Sequence, residues 1–241
     1  MKFTVGSETD IALSIALKHE FLRCEEAFEE FERSAAVMIM IAEARKQAGF
    51  PADANQSRFV AFKTYNAYGR FVHHLYEFLL GAMARERCDT KKIRAEDADF
   101  WMQANAQRVL TGRRQSILNG TAPSWENQIS AFPEVVPTEF AQEFRGVRNQ
   151  VNAHVTHKRA NKSLTDFYHK YHMFVHMTYW NCLGFWGAHR HSDFPDLQEI
   201  TGFSILITKK NVQSAAPAHI TEEERQRRSN AIMDNIWRLS G

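Results

Sequence analysis

Several things are scarce in this chain of 241 residues. It has three cysteines, Cys24, Cys88 and Cys182, widely spaced and with no Cys-x-x-Cys. That excludes a disulfide framework and predicts reduced thiols in a cytoplasmic protein, each a small core residue. Met1 to Asp10 carries one lysine and no apolar run follows it, so no signal peptide is expected. The longest apolar patch, Ala35 to Ala42, is too short to span a bilayer, and no membrane association is expected. Net charge is also scarce. At +2 the molecule as a whole is not a polycation, so any affinity for nucleic acid must come from local patches. Prolines number six, and all fall outside the periodic segments described next.

What remains is helix. Composition is 44% hydrophobic and 24% charged, as in ordinary globular proteins, and the length suffices for a large core. Five segments carry apolar residues at spacings of three and four. The first runs from about Asp10 to Gly49, with Ser34 as a candidate break. The second, from about Ser57 to Arg87, bears the stripe Val60, Tyr65, Tyr68, Val72, Leu75, Leu79 and Met83. The third, Arg94 to Leu118, begins acidic and ends basic, which suits a helix dipole. The fourth has Thr138 as expected N-cap and the stripe Phe140, Phe144, Val147, Val151, Val155. The fifth opens at Ser163, with Asp166 completing a capping box, and is aromatic on nearly every side to about Gly184. Residues 121–137 form a long three-proline connection, expected to be functional or mobile. The expected architecture is all-α: an antiparallel helical bundle over residues 1–187, and a C-terminal extension over 188–241. In the extension, Phe203 to Ile207 reads as a short strand, and a terminal helix opens at Thr221 with Glu224 as capping partner.

One further absence singles out a region. No acidic residue occurs from Phe144 through Thr165, while Arg145, Arg148, Lys158, Arg159, Lys162, His154 and His157 do. Cation-capable groups on a half-buried helix are costly unless they are paired or used. Arg148 and His154 are six residues apart, about 120° around a helix, so spacing alone does not unite them. His154 continues the apolar stripe and Arg148 flanks it. A second copy of the helix across a two-fold axis would bring two Arg–His pairs into one cleft. RNA cleavage by the ribose 2′-hydroxyl suits such a cleft. Histidine serves as a base near neutral pH and arginine as fixed charge for the phosphorane, with no metal or other cofactor. The other reading is a helix whose basic end complements its dipole, with His154 in the core.

Arg148, Asn149 and His154 form an Arg-Asn-x-x-x-Ala-His phrase. It resembles the Arg-x(4–6)-His motif of the HEPN superfamily, helical bundles that are usually homodimeric and include metal-independent ribonucleases of bacterial toxin–antitoxin and antiphage systems. The resemblance implies Arg148 as the phosphate-binding arginine, His154 as the catalytic histidine and Asn149 as polar support. It also implies RNA as substrate and an antitoxin or other regulatory protein as a possible partner. Arg145, Asn152, His157, Lys158, Arg159 and Lys162 are the candidate RNA-binding residues around them. The motif covers about seven residues, and the helical context extends the likeness over about 10–187.

Two alternatives belong to other classes. Some family members keep the fold and bind RNA, nucleotides or proteins without catalysis. Separately, His169, His172 and His176 recur at i, i+3 and i+7, with His73 and His74 able to face them, as in a histidine-ligated metal bundle. The carboxylates of a di-iron bundle are missing, since no Glu-x-x-His occurs. Tyr65, Tyr68, Arg70, His73, His74 and Tyr76 form a further group that could stack RNA bases.

Overall fold

The computed structural model describes residues 1–49, 54–126, 128–151 and 163–186. They form five α-helices: α1 (Glu8–Gln47), α2 (Ala54–Glu86), α3 (Ala95–Leu118), α4 (Phe140–Val151) and α5 (Leu164–Trp186). No strand occurs among the described residues, and the protein is an all-α bundle. The predicted extension, with its strand and terminal helix, lies outside the described residues. So do Asn152, His154, His157, Lys158, Arg159 and Lys162.

The longest pairing is antiparallel. Asp10 of α1 bonds Arg85 near the end of α2 at 2.8 Å, His74 meets Glu20 at 2.8 Å, and Thr64 reaches Met38 at 3.5 Å. Ser7 caps α1 by accepting from the Asp10 backbone N–H. The helix then runs through Ser34 without a break, since one serine in mid-helix lowers propensity only slightly.

The core lies where α5 crosses this pair. Phe21 and Phe28 from α1, Phe71 from α2 and Tyr179 from α5 are buried, with ring centroids 4.8–5.9 Å apart. That spacing suits aromatic pairs. The aromatic character of α5 is thus largely used within the chain. Phe140, Phe144 and Val147 of α4 are buried as their spacing predicts. Val151, the next member of that stripe, has no described side chain.

Thr138 does not cap α4. Its hydroxyl donates to the Glu139 carboxylate at 3.2 Å, and the helix starts at Phe140, whose N–H bonds Pro137 O. The long connection is anchored by α3. The Gln103 side-chain amide donates to Val136 O and Pro137 O, both at 3.0 Å, and Gln107 accepts from Val136 N at 2.8 Å. Arg113 pairs with Glu126 at 2.6 Å, and Arg114 bonds Phe132 O and Glu134. The basic half of α3 holds a loop rather than ending a dipole. Ser163 caps α5 as expected, accepting from Asp166 N at 3.0 Å.

Candidate functional site

Arg148 sits in the last described turn of α4. Glu77 of α2 accepts from both its Nε and its Nη2, and Asn149 Oδ1 accepts from Nη1 at 2.7 Å. The guanidinium also lies over the Tyr76 ring, 5.6 Å from the centroid. Three contacts thus orient one half-buried cation. Asn149 touches Arg148 directly. One turn earlier, Arg145 makes a two-pronged bond to Asp99 of α3 at 2.8 and 2.9 Å. Those bonds raise the Arg145 pKa further, so its charge is fixed. Burial, then the nearby Asp99 charge, pushes the Tyr76 phenol up to about 12, so it stays neutral.

These residues edge a cleft of about 570 Å³ between α2, α4 and the turn before α3. Lys91, Lys92, Arg145, Arg148 and Asn149 line it, with Glu77 in the same wall. Lys91 follows Asp89 by two residues, and its charge acts on that carboxylate, whose Oδ1 accepts from the Lys91 backbone N–H at 3.0 Å. Arg148 is paired with Glu77 and Arg145 with Asp99, with Glu96 also acting on Arg145 and Asp89 near Lys91, so the cleft is lined by four cations held among carboxylates. A concave surface of that kind suits a phosphodiester. Lys91 and Lys92 were missed in the sequence because they fall in a short turn rather than on a periodic face. Glu77 was missed because it lies 71 residues from Arg148. The one available signal for it was its place one turn after His73.

His73 lies close enough to this group for Glu77 and Arg148 to act on its charge. Its Nδ1 is buried, with no hydrogen-bond partner among the described residues. Burial first, then the neighbouring His74, holds it below the ordinary histidine range, so it is neutral near pH 7. His74 instead bonds Glu20.

The other expected groups divide. Tyr68 is buried in the core, Arg70 pairs with Glu26 and Glu30, and Tyr65 is exposed. They do not form one aromatic–basic surface. His172 Nδ1 lies 3.2 Å from the Tyr68 hydroxyl, and His176 Nε2 accepts from the Trp180 indole N–H at 2.5 Å. The rings of Tyr168, His172 and His176 stack in sequence at 4.5 and 5.4 Å. Among the described residues, no three histidine, cysteine or carboxylate side chains converge as a metal site would require. Cys24 and Cys182 are buried, and desolvation pushes both thiols up, Cys182 to about 12, so both stay protonated near neutral pH. No described helix is long and apolar enough to cross a membrane. Comparison with family models, with curated proteins and with solved structures finds no match to this chain.

Proposed function

We propose that this chain is a metal-independent endoribonuclease of the HEPN kind, a toxin or antiphage effector in a cytoplasmic setting. The observation that carries the reading is the oriented Arg148 in a cleft lined by cations, six positions before His154 in the sequence. RNA would lie with a phosphate against Arg148, Lys91 and Lys92. His154, three residues beyond Val151, would take the 2′-hydroxyl proton. The 2′-oxygen would then attack phosphorus and the P–O5′ bond break, leaving a 2′,3′-cyclic phosphate and a 5′-hydroxyl. Arg148 would stabilise the charge gained by the phosphorane. Asn149 would keep Arg148 in place, and Arg145, held by Asp99, would add fixed charge for the RNA backbone. Lys158, Arg159 and Lys162, with Asn152 and His157, would extend the track for the backbone.

The test is cleavage of single-stranded RNA in EDTA. Arg148→Ala and His154→Ala should each remove activity while helicity is kept, and products should carry cyclic phosphate ends. Lys91→Ala/Lys92→Ala should weaken RNA binding and flatten the salt dependence of log K by about 1 to 1.5. Full cleavage by His154→Ala protein would refute the assignment.

One observation favours a second reading. All three guanidinium nitrogens of Arg148 already have protein partners, so it can act as a structural cation beside a binding surface. A non-catalytic RNA-binding module would keep the salt slope and show no cleavage in any variant.

A further inference from the structure

The bundle ends before its two longest helices do. Among the described residues, nothing in α1 after Phe28 is buried, and nothing in α2 before Ala67. From Phe28 to Gln47, α1 extends for roughly 28 Å. A projecting helical arm should be polar, yet residues 34–42 of α1 carry no charged side chain, and exposed apolar residues stand among the polar ones on α2. Val37, Ile39, Met40, Phe59, Phe62 and Tyr65 are each between 43% and 68% exposed. The antiparallel pairing seen at Thr64 and Met38 sets Phe62 level with Ile39 and Met40. These side chains therefore form one zone, with Lys63 over the Phe59 ring at its edge. Exposed apolar patches of this size mark interaction sites.

The occupant is legible from size and charge. Six large side chains exposing roughly 100 Å² each present roughly 600 Å², and the half-buried Met38, Ile41 and Val60 add to it. A stable interface buries about 800 Å² per partner. Charge is arranged along α1 with opposite signs on either side of the apolar zone. Toward the bundle lie Glu29, Glu30, Glu32 and Arg33, a net negative group in which Glu29 meets Arg33 and Glu30 meets Arg70, while toward the tip lie Glu43, Arg45 and Lys46, a net positive group. A like helix laid antiparallel would match these charges.

We infer that the α1–α2 arm pairs with the arm of a second copy, antiparallel and two-fold symmetric about Met38. The two hairpins then form a four-helix bundle. In this register Ala36 meets the partner subunit's Met40, and Glu43 falls near Arg33 of the partner subunit. Lys46 falls beside exposed Glu29 of the partner subunit. The arm differs from the α4 surface, where Phe140, Phe144 and Val147 are already covered by the chain's own core. The inference does not depend on what the cleft binds.

Light scattering on the full chain tests it. Wild-type protein at roughly micromolar concentration should show twice the chain mass of 27.9 kDa. Ile39→Glu/Met40→Glu should raise the dimer Kd by roughly a hundredfold or more, with helical circular dichroism unchanged because both residues are exposed. Lys46→Glu should weaken the dimer, and adding Glu29→Lys should restore it in part. A monomeric wild-type chain overturns the inference, whether the arm is then bare or covered by residues 190–241. A dimer that survives Ile39→Glu/Met40→Glu overturns it as well.

Discussion

Acid should weaken this protein through one histidine, and the size of the effect can be worked out. His172 is packed between the Tyr168 and His176 rings, with Tyr68 and Phe31 beside it. Burial first, then the neighbouring His176, lowers its pKa from 6.5 to about 4. Above the unfolded value the ring is neutral in both states, and folding gains or loses nothing. As pH falls below 6.5, the unfolded chain takes up a proton that the folded chain refuses, so unfolding is favoured. The loss grows until the folded pKa is passed, near pH 4. A gap of this size corresponds to about 3 kcal/mol, and partial solvent access to the ring reduces it to about 2 kcal/mol. His172→Phe keeps the stack and removes the proton site. Urea unfolding at several pH values between about 7.5 and 4.5 should then show the wild type losing about 2 kcal/mol more than the variant. Parallel pH profiles for the two proteins would refute the reasoning, as would a His172 NMR titration centred near its ordinary value.

Two stability predictions follow from the packing. Phe71 is fully buried where α1, α2 and α5 meet, so Phe71→Ala should cost about 3–5 kcal/mol and lower Tm by roughly 10 °C, read by thermal and denaturant unfolding. A loss below about 1.5 kcal/mol would mean that this junction collapses around the gap. A Cβ on Gly81 would lie 2.5 Å from Leu17 Cδ2, so crowding should exceed the helix-propensity gain and Gly81→Ala should destabilise by about 1 kcal/mol. In that background Leu17→Ala should cost less than it does in the wild type, because the new methyl fills part of the gap; equal costs in a double-mutant cycle would contradict the contact.

The helices were legible because their burial pattern is local. Tyr68, Val72, Leu75, Leu79 and Met83 follow one stripe of α2, and all are buried. The same stripe begins with Val60 and Tyr65, which the chain leaves partly or largely exposed. Periodicity states that a face wants covering and cannot state by what. Electrostatic partners were the least legible part of the candidate site. Arg148 and Asn149 are neighbours in the sequence, and their contact could be read there. Glu77 and Asp99 come from other helices, and only the packing of α4 on α2 and α3 brings them to Arg148 and Arg145. Likewise, the connection over 121–137 looked loose because its anchors, Gln103, Gln107, Arg113 and Arg114, lie on a helix that had been read for its dipole alone.

The crossing of α5 over the α1–α2 pair has a consequence in time. α1 and α2 are complete once Glu86 has been made, whereas α5 is complete only at Trp186, a hundred residues later. At translation rates of about 5–20 residues per second, that delay lasts roughly 5–20 s. A helical hairpin closes in far less time. During synthesis, then, Phe21, Phe28 and Phe71 would wait as an open aromatic face until Tyr179 arrives to cover them. A nascent chain halted between those two points should be a good ligand for holdase chaperones, and that affinity should vanish once α5 has cleared the ribosome.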